Sequence, residues 1–220
     1  MSRLYYAAVF LFSSFFLICA HAQQGPSGGL GIRFMSPGGG GSSSVSGSPL
    51  FSAHKSSSSS PEFFVRIRPS NYSPSVPENL AIEGSVSMSK SVHEIKFNGA
   101  SLGKKTCSQA MGLSAQWHFG EKKSKVRPYL GLGFETKDCG GDYAIGGARF
   151  AQSESSSNAV ILRAGATFDL SEVFKGLSAS IDLKTGGSNH ESSGTPVAGT
   201  TVTNKTGGGG SIGVGIMIDF

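Results

Sequence analysis

The chain has 220 residues, a formal net charge of +5, 32 Gly and 15 Phe, and only 15% charged residues. That composition describes neither a soluble helical domain nor a disordered chain, both of which are richer in charge. The basic residues are scattered or confined to short runs such as Lys122-Lys123-Ser124-Lys125, so they do not form the contiguous stripe that nucleic acid requires, and no nucleic-acid partner is expected.

The first element is a targeting segment. Arg3 precedes an apolar run from Leu4 to Ala20, and Ala20-His21-Ala22 supplies a small-residue cleavage site before Gln23. The pattern predicts a signal peptide over 1–22 and an exported mature chain. The run is short for a spanning helix and meets the cleavage site directly, which argues against an anchor. Ile18 before Cys19 is a poor lipoprotein match. No later stretch approaches the roughly 20 apolar residues of a membrane helix.

Strands follow, each with a period of two. Leu30, Ile32 and Phe34 alternate with Gly31, Arg33 and Met35. Gly38 to Ser60 is Gly/Ser-rich without apolar period, which reads as a flexible loop at about 36–60. Phe63, Val65 and Ile67 then alternate with Phe64, Arg66 and Arg68. Leu80, Ile82, Val86 and Met88 mark the next strand, and Met111, Leu113, Ala115, Trp117 and Phe119 the one after. Leu130, Leu132 and Phe134 form another, followed by Val160 to Leu170 and Leu177 to Lys184. The first two could instead belong to a disordered extension before six strands. Eight is preferred, because barrels of this kind have an even strand count and eight is the smallest usual number.

The last strand carries Ile212, Val214, Ile216, Ile218 and Phe220 on one face, with Gly213, Gly215, Met217 and Asp219 on the other. An apolar face ending in an aromatic is what a strand sealing a transmembrane barrel presents to lipid. Short links fall at Pro69–Glu78, Gly120–Lys125 and Ser171–Lys175, and long polar links at Ser36–Ser60, Lys90–Thr106, Lys137–Asn158 and Gly186–Gly208. Strict alternation of the two kinds puts short turns and both termini on the periplasmic side and long loops outside. A soluble antiparallel barrel or sandwich, the competing reading, does not require it. The predicted class is all-β: an eight-stranded antiparallel, up-and-down transmembrane β-barrel over 23–220, closed by the C-terminal strand ending in Phe220.

Three segments carry a family likeness: Arg127-Pro128-Tyr129-Leu130-Gly131-Leu132-Gly133, Arg163 to Ser171, and Gly213-Val214-Gly215 through Phe220. From Leu80 to Phe220 the chain resembles small outer-membrane β-barrels of the opacity-protein and OmpA-like type. The resemblance implies a bacterial outer-membrane location, and roles that range over adhesins, structural anchors and narrow pores. No periplasmic domain follows the barrel here, which speaks against cell-wall anchoring. Implied partners are outer-membrane lipids, the barrel-assembly machinery that reads the C-terminal strand, and a host or cell-surface ligand at the loops.

The inward face carries Arg33, Arg66, Arg68, Glu83, Glu135, Arg163, Asp169, Asp182, Lys184 and Asp219. Charges of both signs at membrane depth must face each other. Arg66 and Glu83 sit symmetrically about one short link, and Arg163 and Asp182 nearly so about another, so each pair is expected side by side. An ion-paired plug filling the barrel is the main reading; a narrow gated path and carboxylate acid–base chemistry are the alternatives. Trp117, Phe119, Phe168 and Phe220 are expected to form the periplasmic aromatic girdle.

Cys107 and Cys139 remain once the signal is removed, and their midpoint is Lys123 in the short Gly120–Lys125 turn. A symmetric hairpin sets them face to face at the outer rim, and export favours a disulfide. His118 is expected to point inward into the plug. His54, His93 and His190 fall in predicted outer loops, where solvated side chains are favoured over a metal site. None of the motifs G-x-S-x-G, H-E-x-x-H or G-x-x-x-x-G-K-[ST] occurs, so no enzyme, cofactor or metal is predicted. Two functions are open: surface display of flexible, adhesin-like loops, and a narrow porin-like channel for ions or small solutes.

Overall fold

A computed structural model describes residues 28–36, 42–46, 50–57, 59–121, 124–145, 148–187, 190–197, 200–206 and 209–220. The signal-peptide assignment at 1–22 lies outside these. Twelve strands follow in chain order: β1 Gly28–Met35, β2 Ser42–Ser46, β3 Phe51–Ser57, β4 Ser60–Ile67, β5 Leu80–Phe97, β6 Ala100–His118, β7 Val126–Ile145, β8 Ala148–Asp169, β9 Leu177–Gly187, β10 His190–Val197, β11 Thr200–Thr206 and β12 Gly209–Asp219.

Eight of them close a ring in the order β1-β4-β5-β6-β7-β8-β9-β12, and every ladder is antiparallel. β1 and β12 complete it, with Gly29 opposite Asp219 and Met35 opposite Gly213. Beyond that ladder the Phe220 N–H donates to the Gly28 carbonyl at 2.9 Å. Closure leaves no unpaired edge at the level where lipid would surround the strands. β1 and β4 supply two of the eight, so the six-stranded alternative does not hold.

The period of two sets which side is which. Leu113, Trp117, Leu130, Leu132, Phe134, Leu162, Ile212, Val214, Ile216 and Ile218 are exposed on the outside, while the alternate residues are buried. A folded domain in water would not leave so continuous an apolar band uncovered. Inside, glycines leave room for large side chains; a methyl on Gly165 would stand 2.7 Å from the Tyr129 hydroxyl.

The links depart from the sequence reading. The short ones are turns, with a 3₁₀ turn at Pro69–Asn71. The long ones are mostly regular. β5 and β6 stay paired out to Phe97 opposite Ala100, and β7 and β8 out to Ile145 opposite Ala148. Asn98 and Gly99, at φ 46° and 83°, join β5 to β6 as a two-residue turn of positive φ, the geometry that matches the right-handed twist of a hairpin. β3 adds to the outer part of β5, and β10, β11 and β2 form a separate three-stranded sheet.

Candidate functional site: the lumenal ion-pair network

The barrel interior is filled by charge. Arg33 on β1, Glu62 and Arg66 on β4, Glu83 on β5, Arg163 on β8 and Asp182 on β9 are each 2% exposed or less. Alternation brings them together, since each stands an even number of residues from its strand's other inward positions. Arg33 is the hub. Its Nε donates to Glu62 at 2.9 Å, its Nη1 to Asp182 at 3.2 Å, and its Nη2 to both Glu62 and Glu83. Arg163 reaches Glu62 at 2.8 Å and Glu83 at 3.1 Å. Arg66 donates to Glu83 through Nη2 at 2.8 Å and Nε at 3.2 Å. Lys184 closes the far side, at 3.3 Å from Glu62 and 2.5 Å from Glu135. Asp182 also accepts from the Tyr129 hydroxyl and, at 3.1 Å, from Ser180.

The four cations Arg33, Arg66, Arg163 and Lys184 therefore meet the four carboxylates Glu62, Glu83, Glu135 and Asp182. Buried charges persist only when paired and hydrogen-bonded, and here each carboxylate has a cationic donor. The Phe64 ring lies under the Arg33 guanidinium, 4.4 Å from its Cζ. An eight-stranded barrel has room for little more than such side chains.

The individual expectations fare differently. Arg66 and Glu83 stand opposite each other in register and hydrogen-bond. Arg163 and Asp182 do not: Lys184 is opposite Arg163, Gly165 is opposite Asp182, and the nearest approach of the two charges is 4.0 Å. The β8–β9 register puts Lys184, two residues beyond Asp182, opposite Arg163, so Arg163 hydrogen-bonds Glu62 and Glu83 and keeps Asp182 only as a long ion-pair contact. Glu62 escaped the sequence reading because it precedes Phe63, where the apolar run starts, although its parity matches Phe64 and Arg66. Asp169 is exposed, not lumenal; its carboxylate accepts the Ser171 N–H at 2.8 Å and shapes the β8–β9 turn. Arg68 and Asp219 are at the short-turn mouth, 3.9 Å apart. His118 is buried with its ring centroid 5.0 Å from that of Tyr129, yet neither ring nitrogen has a protein partner.

Trp117 and Phe119 are exposed at the short-turn end, and Phe168 and Phe220 are half-buried there. Cys107 and Cys139 are directly opposite in the β6–β7 ladder, while their side chains lie outside the described ones. So do those of His54, His93 and His190, whose backbones fall on β3, β5 and β10. Among the described residues no three metal-ligating side chains group together.

The closed eight-strand ring has a counterpart among solved structures. The outer membrane protein OprG from Pseudomonas aeruginosa aligns with 89% of this chain and 97% of its own, at a TM-score of 0.57 and 14% identity. This is the fold of a small outer-membrane β-barrel. AlkL, an outer membrane protein solved in DMPC bilayers, covers 90% of this chain and 93% of its own at 0.48 and 12% identity. Ail, the attachment invasion locus protein of Yersinia pestis, covers 90% and 100% at 0.46 and 11%. No family model and no curated protein matches the sequence.

Proposed function

We propose that this chain is an integral barrel of the bacterial outer membrane whose role is display: a plugged, rigid cylinder holding β-hairpins above the membrane to meet a host or cell-surface ligand. The observation that carries this reading is the ion-pair network. Arg33 alone ties β1 to carboxylates on β4, β5 and β9, which stitches opposite walls of the lumen together and supports a plugged rather than a conducting interior. The apolar belt supports lipid as the immediate partner, and the apolar outward face of β12 is in keeping with recognition by the assembly machinery. On β5 pairing with β6 continues past Met88 out to Phe97 opposite Ala100, so the hairpin extends well beyond the strand's Leu80–Met88 half.

We assign no catalysis, because the network carboxylates Glu62, Glu83, Glu135 and Asp182 are each bonded to Arg or Lys donors rather than poised to exchange a proton with a substrate. A disulfide between Cys107 and Cys139 belongs to the same reading, supported by their direct opposition at the base of the outer hairpins. Planar-bilayer recording of the refolded barrel tests the plug. The expected record is flat; steady unitary currents would replace display with the narrow-channel reading.

A further inference from the structure

The two ends of the lumen differ in how their polar atoms are satisfied. Among the described residues, and apart from Arg163 Nε, the buried side-chain atoms left without a protein hydrogen-bond partner gather toward the short-turn end: Arg66 Nη1, Arg127 Nε, both ring nitrogens of His118 and both amide atoms of Gln116. Gln116 and His118 are alternate inward residues of β6, and His118 lies opposite Tyr129 in register. Arg66 Cζ stands 5.5 Å from the Tyr129 ring, and Arg127 precedes Tyr129 by two positions on the same face of β7. Arg66, Arg68 and Arg127 all act electrostatically on His118. The four orphaned side chains thus line one patch of wall.

The patch has an excess of donors. Arg66 Nη1 and Arg127 Nε can only donate, the Gln116 amide offers two hydrogens, and a neutral His118 offers one; the acceptors are Gln116 Oε1 and one imidazole nitrogen. Positive charge is also in excess relative to its partners. Glu83, the carboxylate of Arg66, is shared with Arg33 and Arg163. Asp219 is too far from Arg68 for a hydrogen bond and accepts instead from Ser178 at 3.3 Å. The remaining carboxylate within electrostatic reach of Arg127, Glu78, is exposed on the β4–β5 turn. Buried donors of this number require an acceptor from outside the protein.

We propose that Arg66, Gln116, His118 and Arg127 form a binding site for a small oxyanion, a carboxylate or a phosphate, entered from the short-turn mouth. Such an anion has acceptors only, so it answers several donors at once and supplies the charge that Glu83 and Asp219 divide among too many partners. The gate is the Arg68–Asp219 pair, whose side chains keep 16% and 18% of their surface exposed. The ion-pair network above blocks passage onward, so the site is a dead-end pocket rather than a step in a pore.

The test uses the full mature barrel refolded in phosphate-free micelles with ¹⁵N-labelled glutamine and histidine. Sodium phosphate and sodium acetate are titrated separately, with sodium chloride at matched ionic strength as reference. The Gln116 side-chain amide and the His118 ring are expected to shift with saturation for at least one of the two oxyanions and not for chloride; which one saturates separates phosphate from carboxylate. Arg127→Gln is expected to weaken binding by roughly tenfold or more, as loss of a charge-assisted bond does. Lys125→Gln, which removes an exposed cation at the same end, should leave it unchanged. If Arg127→Gln does not refold, Arg68→Gln provides the comparison. Shifts that are linear, equal for chloride, or insensitive to Arg127 and Arg68 would overturn the site.

Discussion

Arg33 and Arg66 are both buried arginines facing the same lumen, but they are not equivalent. Arg33 serves Glu62, Glu83 and Asp182, whereas Arg66 serves Glu83 alone among carboxylates. Removing Arg33 strips a donor from three buried anions, and Arg33→Ala should cost roughly 3–5 kcal/mol. Arg66→Ala should cost less, because Glu83 keeps Arg33 and Arg163. Urea unfolding of both variants from the same micelles checks the order; equal losses would mean that the network does not pivot on Arg33. Which of these pairs could be read from sequence follows from turn geometry. Arg66 and Glu83 needed the register that pairs Ile67 with Ile82 across the β4–β5 turn, and that register holds. Arg163 needed the β8–β9 register to within one residue, and an offset of two sends its guanidinium elsewhere. Glu62 was hidden by convention, since a charged residue ahead of an apolar run reads as the end of a loop.

At the scale of elements, the eight barrel strands were legible because a lipid-facing side and a small or charged inner side produce a strong period of two. The outer halves of β5 to β8 were not, because out of the membrane neither face needs to be apolar and the period vanishes. The missed signal was local: Asn98-Gly99 is the dipeptide that a two-residue hairpin turn demands. In the β6–β7 hairpin Cys107 is opposite Cys139 as expected, but by way of a bulge between Ser108 and Ala110: the ladder from Ala110 to His118 is one residue off the symmetric turn. Non-reducing mass spectrometry of the mature protein should find neither thiol alkylatable before reduction. Two alkylated thiols would mean that the rim is held by ladder hydrogen bonds alone.

For the whole molecule, the decisive asymmetry is between its ends. One rim carries tight turns and aromatic rings, the other carries hairpins. Trp117, the only tryptophan, is exposed near the tight-turn rim, opposite Leu80 and Leu130 in its two ladders. If that rim sits at the headgroups, lipids brominated near the carbonyl should quench its fluorescence more than lipids brominated at the chain ends. The reverse order would shift the belt along the barrel axis and displace Phe119, Phe168 and Phe220 from the interface.

Closure of the ring between its first and last strands also dictates an order of events. Until β12 meets β1, each presents a row of unpaired backbone groups that the hydrocarbon cannot answer. Arg33 rides on β1 beside Glu62 on β4, but Asp182 on β9 joins it only when the circle is complete. A half-inserted intermediate would therefore carry naked peptide edges, and an Asp182 carboxylate still without Arg33, into the bilayer together. Assembly is thereby confined to a path on which insertion and closure are one event, with the first residues to arrive among the last to settle.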